Sequence, residues 1–140
     1  MLVSSVLKPL RVGLIGYDGV QALDLIGPSD AFSITSITED NDRTRPGYEV
    51  VVLGLSGKSF RAESGVLFQP QCLLRNAPPL DTLIIPGGVG ARMGKAGPAI
   101  ADWISSHYQH IRRIAFYRRR HYLHPPYRGQ RSKPLPKYAG

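Results

Sequence analysis

Two features of this chain could do chemistry: a run of bare backbone amides and one carboxylate. The amides lie in Asp81-Thr82-Leu83-Ile84-Ile85-Pro86-Gly87-Gly88-Val89-Gly90. Leu83, Ile84 and Ile85 form an apolar run without polar alternation, the pattern of a strand covered on both faces. Pro86 stops the ladder because it has no N–H to donate. Gly87, Gly88 and Gly90 then free the backbone to turn and to point successive N–H groups outward. Open α/β sheets place their sites at the carboxyl ends of strands, so a small polar or anionic group could bind there. A tight strand-to-helix turn with no chemistry explains the same residues equally well. The carboxylate is Asp24, set between Leu23 and Leu25. In apolar surroundings it suits hydrogen bonding to a thiol or acid–base work. Read from spacing alone, a helix cap near Pro28 is the plainer role.

Other candidates are weaker. Gly88-Val89-Gly90-Ala91-Arg92-Met93-Gly94 has a GxGxxxG spacing close to the dinucleotide fingerprint. That fingerprint normally follows the first strand of its unit, with an acidic residue after the next strand. Here it follows a later strand, and the segment after Arg112 to Ala115 holds no acid, which argues against NAD. Cys72 is the sole cysteine, so no internal disulfide can form, and the thiol reads as packed or incidental. His107 and His110, like His121 and His124, are three apart. Without further ligands in a held geometry they read as surface histidines. No metal or other cofactor is expected.

The elements that must position these residues alternate between strand and helix. Arg11 to Gly16 reads as a first buried strand, and Tyr48 to Gly54, rich in β-branched residues, as a second. Gly27-Pro28-Ser29-Asp30 is expected to open a helix, with proline at its first position and Ala31, Phe32, Ile34 and Ile37 on its apolar face. Thr38 to Gly47 reads as a loop. Ser59 to Glu63 and Val66 to Gln69 read as a hairpin on the sheet edge, and Leu73 to Ala77 as one helical turn. Gly97-Pro98 opens a second helix, with Ile100, Trp103, Ile104, Tyr108 and Ile111 at helical spacing. Arg112 to Ala115 starts one more strand. The order predicts a doubly wound, mostly parallel, flavodoxin-like α/β sheet with helices on both faces, incomplete at the C-terminus.

Charge divides the chain at about residue 115. The formal net charge is +8 over 140 residues. Residues 1–115 hold 11 basic against 10 acidic residues, while residues 116–140 hold 7 basic and none acidic. The first part has no electrostatic reason to seek phosphate. Residues 116–140 carry Arg118-Arg119-Arg120 and four prolines, with no periodicity. This tail reads as a disordered or extended arm, or as the product of a truncation or shifted reading frame. Its arginines and tyrosines also allow a reading as a nucleic-acid arm. No apolar run is long enough to cross a bilayer and no secretory signal is evident, so a cytoplasmic protein is expected.

Three segments carry a resemblance: Gly19 to Pro28, Ala77 to Gly88 and Ile104 to Ala115. Together they resemble the ThiJ/PfpI family, of class I glutamine amidotransferase-like fold. They are most similar to the amidase-like N-terminal domain of AraC-type transcriptional regulators (the GlxA group), and isocyanide hydratases carry similar segments. The resemblance runs from about Arg11 to Ala115, so residues 1–115 are expected to form the N-terminal part of such a domain. It implies that Asp24 is the acidic partner of a reactive cysteine and that Gly87 and Gly88 supply an oxyanion hole. It also implies a nucleophile three residues past Ala115, where this chain has Arg118. Arginine stays protonated and cannot attack.

The expectation is therefore a ligand-sensing domain of an AraC-type regulator, or its remnant, binding a small molecule at Asp24, Gly87 and Gly88. It lacks both the cysteine and the DNA-binding domain, so DNA would be met only through a domain absent here. The alternative is an inactivated cysteine-dependent hydratase or amidase. No membrane partner is expected. An uncovered sheet edge predicts a homodimer or self-association.

Overall fold

The first buried strand takes the middle of the sheet. The computed structural model describes residues 8–117; Arg118 and the remainder of the basic tail lie outside the described residues. β1 (Leu10–Gly16) is the central strand, and Val12, Leu14 and Ile15 have no solvent exposure. A strand buried on both faces must be apolar throughout, which is what the run Val12 to Ile15 supplies.

α1 (Ala22–Ser33) begins five residues earlier than the Gly27-Pro28 signal suggests, so Pro28 lies inside the helix. The start is set by the chain ahead of it. The Gln21 N–H donates to the Gly87 carbonyl at 2.7 Å and Val20 forms a bridge with Gly88, which ends the extended segment at Gln21. The buried residues of α1 are Leu25 and Pro28, with Phe32 half-buried against the core. Ile34, expected on the apolar face, is 81% exposed, and Ile37 leaves the helix altogether.

The expected loop after α1 is a small antiparallel ribbon, β2 (Ser36–Thr38) paired with β3 (Thr44–Pro46). Apart from Ile37 and Pro46 the paired residues are polar, and too few apolar residues are present for an alternation that would betray a strand. β4 (Tyr48–Gly54) runs parallel to β1 over its whole length. β5 (Phe60–Arg61) and β6 (Leu67–Phe68) form the expected hairpin, but as a separate two-stranded sheet. It does not extend the edge of the main sheet. Its backbone is instead spent on the segment after β1: the Gly19 N–H donates to the Arg61 carbonyl and the Glu63 N–H to the Val20 carbonyl.

β7 (Cys72–Leu73) adds an edge to β4, and the 3-10 turn Leu74–Asn76 follows as expected. β8 (Thr82–Ile85) pairs with β1 on its other side. The short α2 (Val89–Met93) and the longer α3 (Ala96–His107) lead to β9 (Arg113–Phe116) at the far edge. Tyr108, expected on the helix, lies past its end and is 53% exposed.

The main sheet has the order β7-β4-β1-β8-β9, with all four pairings parallel. Its two faces carry different helices. Ile84 lines one groove with Phe32 of α1, and its neighbour Ile85 lines another with Ile100 and Ile104 of α3. Successive strand residues face opposite ways, so α1 and α3 cover opposite faces. This is the doubly wound α/β arrangement.

Candidate functional site

The strand order reverses at β1: the chain goes from β1 to β4 on one side and later to β8 on the other. The carboxyl ends of β1 and β8 therefore diverge in their connections and leave a crevice where ligands collect in such sheets. Asp24 and the Gly87-Gly88 turn meet there, although 63 residues separate Asp24 from Gly87. The Gly87 N–H donates to Asp24 Oδ2 at 3.1 Å. Asp24 is half-buried in the first turn of α1.

Two glycines make this approach feasible. Gly88 has φ +155, and a Cβ there would run into the Gly19 carbonyl oxygen and lie 2.8 Å from Val20 Cα. Gly19 has φ +80, and a Cβ there would lie 2.7 Å from the Gly90 nitrogen. The two turns thus pack backbone against backbone, which side chains would prevent.

The two amides singled out by the sequence differ in state. The Gly87 N–H is engaged by Asp24, whereas no described residue accepts from the Gly88 N–H, which is buried at the head of α2. The Tyr117 carbonyl oxygen also faces Gly87, at 2.8 Å from where a Cβ would be. The end of β9 therefore passes beside the Asp24–Gly87 contact. Arg118 itself lies outside the described residues.

Two further residues hold the turn that the sequence did not single out. Tyr17 is 2% exposed and its hydroxyl donates to the Pro86 carbonyl at 2.7 Å. Burial pushes its pKa up to about 12, helped by the charges of Asp24 and Glu63 and opposed by Arg92. Glu63, from the hairpin, accepts from the Val89 N–H at 2.5 Å. A tyrosine at a strand end is a faint signal for such a contact, and Glu63 has none, since its partner is a backbone amide 26 positions away.

The remaining candidates lie elsewhere. Cys72 is half-buried in β7, with β4 and β1 between it and β8. His107 stacks on Trp103 at a centroid distance of 4.2 Å, with its Nδ1 2.8 Å from the Trp103 carbonyl oxygen, and so closes the end of α3. His110 is exposed; His121 and His124 lie outside the described residues. Among the described residues there is no cluster of three or more His, Cys, Asp or Glu side chains able to hold a metal ion. No helix among them is long and apolar enough to cross a membrane.

The open parallel sheet has the fold of solved ThiJ/PfpI and DJ-1 superfamily structures. A ThiJ/PfpI family protein from Pseudomonas syringae superposes with a TM-score of 0.60 at 18% identity, over 79% of this chain and 42% of that one. DJ-1beta of Drosophila melanogaster gives 0.60 at 22% identity, over 78% and 55%. A DJ-1 superfamily protein from Agrobacterium tumefaciens gives 0.55 at 17%, over 76% and 52%. The chain thus spans about half the length of these structures. An uncharacterized protein encoded in the cpoL 5' region of Streptomyces lividans is 30% identical over 101 residues, 67% of each chain. The chain belongs to the same family as this Streptomyces protein. No family model matches the chain.

Proposed function

We propose that this chain is a ligand-binding domain that does not turn its ligand over, of the kind that senses a small molecule for an AraC-type transcriptional regulator. The observation that carries the reading is the Asp24–Gly87 contact at 3.1 Å beside a Gly88 N–H that no described residue uses. A fixed carboxylate and an adjacent amide without an acceptor among the described residues form a paired acceptor and donor. They suit a small ligand with a carbonyl or carboxylate next to an N–H or O–H group. With Arg118 where a nucleophilic cysteine would be needed, such a pocket binds without reacting. Regulation asks no more of it than that.

A second reading is an inactivated hydratase or amidase. It rests on the same Gly88 amide, because a backbone donor without an acceptor is the usual means of stabilising an oxyanion.

The test is a titration of the 15N-labelled chain with glutamine, acetamide and cyclohexyl isocyanide, following the Gly87 and Gly88 resonances. The sensing reading expects saturable shifts with at least one of these and no product. Conversion of the isocyanide to its formamide would favour the enzyme instead. Unmoved Gly88 resonances with all three would remove the pocket. In longer relatives, a helix-turn-helix pair after this domain supports the regulator, and a stop soon after it supports the enzyme.

A further inference from the structure

A second cavity of about 340 Å³ opens at the carboxyl ends of β1 and β4, and neither Asp24 nor Gly87 lines it. Its walls include Tyr17, Asp18, Ser56, Lys58, Phe60 and Lys95. Much of the rest is backbone. Gly16 can carry no side chain because a Cβ would collide with the Phe60 ring, and a Cβ at Gly94 would lie 2.7 Å from the Gly90 carbonyl oxygen. Phe60 and Gly90 thus pack directly against the glycine backbone that lines the cavity, whose size is that of a small-molecule site.

The charged groups are arranged for an anion. Lys58 and Lys95 reach the cavity from two separate segments, and among the described residues neither forms an ion pair. The single carboxylate is Asp18, whose Oδ1 already accepts from the Arg61 N–H at 2.8 Å. Two ammonium groups against one committed carboxylate leave an excess of one positive charge. The Ser56 hydroxyl adds a neutral donor, and Leu55, Ala96 and the edge of the buried Phe60 supply an apolar wall. Paired ammonium groups match a phosphate dianion as point charges, and the apolar wall suits an apolar body attached to it.

We propose that this cavity binds a small organic phosphate, with Lys58 and Lys95 on the phosphate and Phe60 against the organic part. Nothing in this assignment depends on the Asp24 pocket.

The test uses the full 140-residue chain, with phenyl phosphate and inorganic phosphate titrated by calorimetry at constant ionic strength. Phenyl phosphate is expected to bind saturably and more tightly than inorganic phosphate. The double variant Lys58→Ala with Lys95→Ala should weaken it about tenfold or more. Both side chains are exposed, so the variant should fold, and an unchanged thermal midpoint checks this. Asp18→Asn should tighten binding. Equal affinity in the double variant would assign the binding to the basic tail and overturn the proposal. So would the absence of saturation, or equal affinity for the two phosphates.

Discussion

Asp24 and Tyr17 hold opposite sides of one turn, and each makes a prediction that can be read without knowing a ligand. Asp24→Ala removes the acceptor of the Gly87 N–H and should cost about 1–2 kcal/mol in urea unfolding; Asp24→Asn keeps an acceptor and should recover most of it. Tyr17→Phe leaves the buried Pro86 carbonyl without its donor and should cost about 1–2 kcal/mol. The pH dependence has a definite sign. The folded chain holds the Tyr17 proton more tightly than the unfolded chain, about 12 against 10. Its contribution is whole below pH 10 and is lost as the pH rises through about 12. Alkaline denaturation should therefore be shallower in Tyr17→Phe, as followed by circular dichroism. Gly88→Ala must accept a left-handed φ and a collision with the Gly19 carbonyl, and should destabilise by about 3 kcal/mol.

At the scale of elements, the start of α1 decides what that helix buries. Beginning at Ala22, it turns Leu25, Pro28 and Phe32 inward, three and four positions apart, and leaves Leu23 72% and Ile34 81% exposed. Leu25→Ala should thus cost about 2–4 kcal/mol, whereas Leu23→Ala and Ile34→Ala should each fall within about 0.5 kcal/mol of the parent. Denaturant titration of the three variants separates this register from one that starts at Pro28, in which Ile34 would be the costly site. The proline is a misleading marker because the hydrogen bond from the Gln21 N–H to the Gly87 carbonyl, beside the Val20–Gly88 bridge, begins the helix earlier.

At the scale of the whole molecule, the weight falls on β9. It is an outer strand of the main sheet, with Phe116 63% and Tyr117 45% exposed. Grooves of about 340 and 380 Å³ run beside it on the two faces. We expect concentration-dependent self-association, and Phe116→Lys should shift the chain toward monomer in sedimentation velocity. A parent chain that stays monomeric over the whole range would count against an adhesive edge.

Much of the architecture was legible from local patterns. Continuous apolar runs marked β1 and β8, β-branched residues marked β4, and helical spacing marked α3, because such strands and helices meet the same apolar environment along their length. The sequence by itself also determined which atoms were available for chemistry: the glycine amides, the Asp24 carboxylate, and an arginine at position 118. Tertiary structure alone decided their states. It brought Asp24 onto the Gly87 amide and left Gly88 without a described acceptor. It recruited Tyr17 and Glu63 to the turn, and set Lys58 and Lys95 around a common cavity. These pairings span 26 to 69 positions along the chain and depend on strand order, which no local periodicity encodes.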